Sequence, residues 1–334
     1  MLMTLSTQGV TIVLCCYNSA KRLPVTLGYL KDQTVPVWIN WEVLIIDNLS
    51  DDGTKKIASE IWKSFNISTE LRIIEEPIPG LSNARNKGIE TARYSYILFC
   101  DDDNWLDPNY VARGFNIMVN DERIGVVGGL AFAAPEPPVP AWFPKRISHF
   151  SVGSQEKFAA DNWVYGAGSI CRRDALMKLE ELQWKQITSD RLGDELLYGG
   201  DNEICYMLKL MGYYIVYKEE LQFQHFIPQS RMTEAYIEKS AYGSYLSTIF
   251  LYPYFYYLNK RWKHKSLIGY ILFALFYCSK EILISIIKYL FPINMDSYNK
   301  KMNSIKLKAV LKAKFGGVKT IKQFILIHSI LKQL

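Results

Sequence analysis

Three consecutive aspartates, Asp101, Asp102 and Asp103, close the apolar run Tyr96 to Cys100 and precede an Asp107-Pro108 pair. Held close together without a partner, such carboxylates repel one another and raise each other's pKa. A divalent cation relieves the repulsion, because hard oxygen ligands suit Mg²⁺ or Mn²⁺. The triplet alone leaves a second reading open, an acidic cap on a turn. Two more apolar runs end in polar residues: "CCYN" carries Tyr17 and "IIDN" carries Asp47. A basic-polar stretch with Arg85, "GLSNARNKG", reads as the start of a helix. An acidic strand end beside such a helix start suits a diphosphate. The cation bridges its oxygens, and Arg85 or backbone N–H groups hold the rest.

The segments that must position these residues alternate in type. "VTIVLCCY", "WEVLIID", "LRIIEE" and "YSYILFC" read as buried strands, and Ala20 to Lys31, about Gly53 to Phe65, and Ser82 to Ala92 as the helices between them. Continuous apolar strands alternating with helices predict an α/β fold with a mostly parallel sheet flanked by helices. Ligands bind such sheets beyond the carboxyl ends of the strands. Three polar strand ends on one edge form a sharper signal than one acidic turn. Asp107 and Pro108 read as the N-cap and first residue of the next helix. The proline-rich stretch Pro135 to Pro144 reads as an extended loop. "GGDNEICYMLKLMGY" reads as a helix opening at Asp201, with Gly212 as its C′ residue. "YYIVY" follows as a strand and leads into "HFIPQSR", which holds His225 and Arg231.

Composition excludes several classes. With 334 residues, 49% hydrophobic and 22% charged, the chain has enough apolar content for a sizeable core. Its net charge of +6 does not point to nucleic acid, because the excess is concentrated in a tail, Lys300 to Lys322, with eight lysines and no acid. The six cysteines form no C-x-x-C pair and fit a reduced, cytosolic setting. The N-terminus has no basic region before its apolar stretch and is not read as a secretory signal. A phosphate-binding G-x-x-x-x-G-K-[ST] loop is absent, and "GAGSIC" is an incomplete dinucleotide fingerprint.

These motifs, in this order, resemble family 2 nucleotide-sugar glycosyltransferases of the GT-A fold, the type that builds bacterial surface polysaccharides. "TIVLCCYN" is similar to the family's first strand. "IIDNLSDDGT" resembles its "VVDDGSTDGT", with Asn48 in place of the second aspartate. "GLSNARNKGIETARYSYILFCDDDNWLDP" resembles the stretch leading to the D-x-D signature, here Asp101 and Asp103. "YGGDNEICYMLKLMGY" resembles the acceptor-side helix, and "LQFQHFIPQSR" the His-containing segment that closes the site. The likeness covers about Val10 to Thr233.

The resemblance implies a role for each residue. Asp103 and His225 would bind Mn²⁺ or Mg²⁺; the alternative for His225 is a core histidine. Tyr17, Asp47, Arg85 and Asp101 would contact the nucleotide, with an Asx-turn as the alternative for Asp47. Arg231 would face the leaving diphosphate. Asp201 would be the general base, or else only the cap of its helix. One base with no covalent nucleophile implies single displacement with inversion. The expected partners are a nucleoside-diphosphate sugar donor and a glycan or lipid-linked glycan acceptor. The remaining readings are a sugar nucleotidyltransferase, for which "CCYNSAKRLP" lacks the Gly-rich basic loop, and a non-enzymatic membrane-bound glycan-binding protein.

The expected domains are a catalytic domain, 1–239, with halves of about 1–115 and 116–239, and a C-terminal hydrophobic helical region, 240–334. Ser240 to Asn259 and Ser266 to Ser279 carry no charged residue. If both crossed a membrane, "KRWKHK" would lie outside; if one did, the lysine-rich tail would. Either arrangement opposes the positive-inside tendency. The expectation is therefore helices lying on the cytoplasmic face of the inner membrane, with Tyr252, Tyr254, Tyr256 and Tyr257 at the interface. Packing on the catalytic domain or a second subunit is the alternative.

Overall fold

The computed structural model describes residues 7–188, 191–192, 195–196, 198–262, 264–292, 295–313 and 317–334. They form two compact units, Met1–Glu181 with Gly212–Gln229, and Leu182–Met211 with Ser230–Leu334. The helix bearing Asp201 groups with the C-terminal helices.

The first unit is built on one eight-stranded sheet. In chain order it contains β1 (Gly9–Cys16), α1 (Leu23–Lys31), β2 (Asn40–Asp47), α2 (Thr54–Ser64), β3 (Leu71–Glu75), α3 (Leu81–Thr91), β4 (Tyr96–Phe99), β5 (Asn104–Leu106) and α4 (Tyr110–Asn120). Then come β6 (Ile124–Pro135), α5 (Glu156–Ala160), β7 (Ile170–Arg172), α6 (Arg173–Glu181) and, later in the chain, β10 (Tyr214–Ile227). Ile12, Leu14, Val43, Leu44, Ile45, Ile97 and Leu98 are fully buried. Each such side chain contributes roughly 1.5–3 kcal/mol relative to exposure. The strand order is β3-β2-β1-β4-β7-β6-β10-β5. The first four strands and the β6–β10 pair are parallel, as the apolar runs predict. β7 and β5 run antiparallel to their neighbours.

Two helix starts differ from the sequence reading. α1 begins at Leu23, not Ala20, because the chain from Asn18 to Ala20 is tied to the loop after β2. The Asn18, Ser19 and Ala20 N–H groups donate to Ser50 Oγ, Thr54 Oγ1 and Asp52 Oδ2 at 3.0, 2.9 and 3.0 Å. α4 begins at Tyr110 with Asn109 as its N-cap residue, so Asp107 is not the cap. The Pro108 carbonyl is taken by the Thr34 N–H at 2.6 Å, and Asp107 Oδ1 accepts the Asn109 N–H in an Asx-turn.

Among the described residues, the second unit holds the short antiparallel pair β8 (Arg191–Leu192) and β9 (Glu195–Leu196) and six helices. These are α7 (Gly200–Leu210), α8 (Glu234–Phe250), α9 (Tyr252–Leu258), α10 (Leu267–Leu290), α11 (Ser297–Lys312) and α12 (Gly317–Leu331). Gly199 precedes α7 at φ 117° and Gly212 follows it at φ 100°, a backbone region that L side chains rarely enter. Gly212 is the expected C′ residue. The uncharged stretch Ser240 to Asn259 is not one continuous segment, because α8 ends at Phe250 and α9 restarts with Pro253 in its first turn. Three of the four tyrosines expected at an interface are not there. Tyr252, Tyr254 and Tyr256 are buried, and Tyr252 and Tyr256 pack with Tyr270, Phe273 and Phe324 of α10 and α12. Among the described residues, α10 is the one helix long and apolar enough to cross a membrane by length and composition.

Candidate active site

The carboxyl ends of the first unit's parallel strands carry the residues the sequence singled out. Tyr17 follows β1 and is 63% exposed. Asp47 ends β2 in register with Cys16 and is 2% exposed. Arg85 lies buried in α3, with its guanidinium 5.6 Å from the Phe99 ring centre. The two thiols that end β1 report the field there. Burial pushes the Cys15 thiol up to about 12, with Arg85 opposing and Asp101 adding to the rise. The Cys16 thiol is also pushed up, first by burial and then by Asp102, with Asp47 adding to it.

The three aspartates after β4 are held apart in role. Asp102 turns to Arg22, whose Nη2 and Nε lie 2.6 and 3.1 Å from Oδ2, and the Thr26 hydroxyl donates to the Asp102 carbonyl at 2.7 Å. Asn104, fully buried, fixes the turn. Its Oδ1 accepts the Asp101 N–H at 3.0 Å, and its Nδ2 donates to Asp103 Oδ1 at 3.3 Å. Asp102 therefore serves the fold.

Strand pairing brings His225 to Asp103. β10 pairs antiparallel with β5, placing His225 opposite Asn104, and the Phe226 N–H donates to the Asp103 carbonyl at 2.8 Å. His225 Nε2 then lies 3.7 Å from Asp103 Oδ1. Among the described residues, four buried side-chain atoms of this unit have no protein hydrogen-bond partner: Ser19 Oγ, Asp47 Oδ1, Ser82 Oγ in the first turn of α3, and His225 Nδ1. Buried polar atoms are rarely left so, and those of Asp47, Ser82 and His225 fit a polar ligand. Among the described residues, no group of three or more His, Cys, Asp or Glu side chains converges as a metal cage. A two-residue donor set still suits a hard cation that arrives with phosphate oxygens, because Mg²⁺ is commonly held by one or two carboxylates plus substrate phosphates.

Asn48 shows why an amide replaces the carboxylate in this chain. Its Nδ2 donates to the Glu76 and Ile78 carbonyls at 2.8 and 2.7 Å, and its Oδ1 accepts the Gly80 N–H at 2.8 Å. An aspartate cannot donate twice. The side chain shapes the loop that leads into α3.

Asp201 and Arg231 belong to the second unit. Asp201 is the second residue of α7, in its first turn beside Glu203, and the N-cap is Gly199. Asp201 is therefore not the N-cap residue of α7. Arg231 ends a short 3₁₀ turn, Gln229–Arg231. The sequence reading overlooked Glu203, which is 0% exposed. Burial pushes its carboxyl up to about 7, against hydrogen bonds from Ile187, Thr188 and Tyr254. Its position inside the buried run "EICYML" was the available signal. Arg22 was overlooked too; the signal was that the middle one of three adjacent acids needs its own cation.

The glycosyl transferase family 2 profile matches residues 11–179, just over half the chain. The chain belongs to that family. EpsH of Bacillus subtilis is 34% identical over 106 residues, covering 32% of this chain and 29% of EpsH. The poly-beta-1,6-N-acetyl-D-glucosamine synthase of Staphylococcus epidermidis is 26% identical over 208 residues, covering 60% of this chain and 48% of the synthase. The matches thus span less than half the length of these relatives. Among solved structures, the mannosyltransferase PcManGT from Pyrobaculum calidifontis, in complex with GDP-Man and Mn²⁺, superposes with a TM-score of 0.57 at 14% identity. That alignment covers 97% of this chain and 86% of PcManGT, and it establishes the GT-A fold. The nucleotidyltransferase and non-enzymatic readings are left without support.

The Glu203 carboxyl gives a signed pH dependence. Its folded value, about 7, lies above its ordinary 4.5. Between these values the folded chain holds a proton that the unfolded chain has released. The contribution to stability is full below pH 4.5 and is lost as pH rises through 7. Thermal midpoints measured from pH 5 to 8 should fall across this window, and Glu203→Gln should flatten that slope.

Proposed function

We propose that this protein is an inverting glycosyltransferase that moves a sugar from a nucleoside-diphosphate sugar to a hydroxyl of a glycan or lipid-linked glycan acceptor in cell-surface glycan synthesis. The observation that carries this reading is the Asp103–His225 pair, 3.7 Å apart, on the strand edge that also holds the unpartnered Asp47 Oδ1. Asp47 and Asp101 accept hydrogen bonds from the nucleoside, and Tyr17 offers its exposed ring to the base. Arg85 and Arg231 supply positive charge toward the diphosphate. Asp103 and His225 would hold Mn²⁺ or Mg²⁺, which when bound neutralises charge on the departing diphosphate. PcManGT, solved with GDP-Man and Mn²⁺, supports a donor and cofactor of this kind. Asp201 takes the proton from the attacking hydroxyl, which is a poor nucleophile without a base. With one base and no covalent nucleophile, displacement proceeds once and inverts the anomeric carbon.

The same reading places the protein on a membrane surface, at the cytoplasmic side where nucleotide sugars are made. α10 buries Tyr270, Phe273, Ala274 and Cys278 on one stripe. Ile268, Leu272, Phe276, Leu283, Ile287 and Leu290 form an exposed apolar stripe on another side. A helix with one stripe in protein and the other bare suits the acyl boundary of a bilayer better than a crossing. The cations Lys260, Arg261 and Lys265 precede it, and Lys288 lies in its last turn, complementing anionic headgroups.

Three outcomes follow. Incubation with a panel of nucleotide sugars should release nucleoside diphosphate only with Mn²⁺ or Mg²⁺, and Asp103→Ala should abolish turnover; full activity in excess chelator overturns the metal assignment. Asp201→Asn keeps the shape of the side chain but cannot take a proton, so kcat should fall ~10²–10⁴-fold while nucleotide affinity and the thermal midpoint hold. A wild-type kcat removes Asp201 as the base. The protein should sediment with phosphatidylglycerol-containing vesicles, less so in high salt, and Leu272→Glu with Phe276→Glu should release it. A protein that ignores vesicles and forms a dimer broken by the same pair assigns the stripe to a second copy.

A further inference from the structure

Five successive residues of the second unit, 184–188, are each fastened by a hydrogen bond. The Trp184 indole N–H donates to Tyr254 Oη at 3.1 Å, and the Lys185 carbonyl accepts from Gln323 Nε2 at 2.9 Å. Gln186 Nε2 donates to the Gly200 carbonyl at 2.9 Å. The Ile187 and Thr188 N–H groups donate to the Glu203 carboxylate at 3.0 and 2.8 Å, joined by the Thr188 hydroxyl at 2.6 Å. Tyr254 closes the network. Its hydroxyl donates to Glu203 Oε2 at 2.8 Å and accepts from Gln323 Nε2 at 2.7 Å.

Four segments meet here: the 184–188 stretch, α7 through Gly200 and Glu203, α9 through Tyr254, and α12 through Gln323. A fully buried carboxylate is a poor way to gain stability, because desolvation opposes it and apolar packing serves as well. What it does confer is direction. Four donors converge on one carboxylate, and each loses its partner if any element shifts.

We infer that Glu203, Tyr254 and Gln323 are positioning residues that fix the 184–188 stretch and the start of α7, making α9 and α12 working parts of the acceptor side. The inference rests on reading α7 as the acceptor-side helix that carries Asp201. It gives the C-terminal helices, which lie beyond the family match at 11–179, a task separate from membrane attachment.

The test uses the full chain as Tyr254→Phe, which removes one oxygen and keeps the ring, and as Gln323→Met, which leaves the Tyr254–Glu203 bond in place. Amide hydrogen exchange well below the melting temperature should quicken about tenfold or more at Ile187, Thr188 and the first turn of α7, the size expected for stranding one buried hydrogen-bonding group. Amides in β1 and β2 should not change. UDP and GDP affinity in Mn²⁺ should be unaltered, while transfer to octyl glucoside, where the wild type uses it, should fall by a similar factor. Unchanged exchange at Ile187 and Thr188 in both variants overturns the inference, as does localised loosening with full transfer activity. Should Tyr254→Phe fail to fold, Gln323→Met alone decides. The exchange readout needs no base, so a wild-type rate in Asp201→Asn removes the catalytic assignment while leaving the test of the network intact.

Discussion

Three neighbouring carboxylates can share a strand end only if they do not all face the same space. This constraint organises the first unit's functional edge. Asp102 is drawn to Arg22 at 2.6 Å, which removes one negative charge from the cluster. The ion pair ties the residues after β1 to those after β4 across two adjacent strands. Asn104 then sets the turn with hydrogen bonds to both flanking aspartates. A neutral residue at position 102 would reduce the repulsion equally well but would give up the tie to Arg22.

His225 reaches this edge from more than a hundred residues away because β10 runs parallel to β6 and antiparallel to β5. The three residues of β5, directly after the aspartates, run antiparallel to β10. That reversal places Asn104 opposite His225. A slip of one residue would turn the imidazole to the other face of the sheet, since side chains alternate along a strand. The Asp103–His225 pair is therefore a consequence of register, and the register is held by Leu106 and Phe223, paired and buried in the same ladder.

The parallel strands and their polar ends were legible because each strand is a continuous apolar run, which is what burial on both faces requires. Asp47, Asp101, Asp103 and Arg85 could be picked out because polar residues close apolar runs or open a helix there, and His225 through the likeness of "LQFQHFIPQSR" to the family's His-containing segment. The antiparallel β5 was not legible. At three residues it is too short to show a period, and only pairing defines it. The start of α4 was misplaced because Asp107-Pro108 carries a helix-start signal that tertiary contact overrides: Thr34 takes the carbonyl the helix would need. The aromatic C-terminal segment was misread for a similar reason. Tyrosine-rich composition suits a membrane interface and a buried aromatic cluster alike, and only the break between α8 and α9 separates the two.

The two acids that open α7 show how one helical turn can serve structure and chemistry together. Successive residues are about 100° apart around a helix, so positions two apart point in nearly opposite directions. Glu203 therefore turns into the packed interior of its unit when Asp201 turns away from it, and the burial follows: Glu203 is fully buried and Asp201 half-buried. The inward acid fixes the rotation of the helix about its axis through Tyr254 and the 184–188 stretch. That rotation sets where the outward acid points. A base on an otherwise greasy helix could be displaced by a small roll of the cylinder, and a carboxylate anchored on the opposite side opposes that roll.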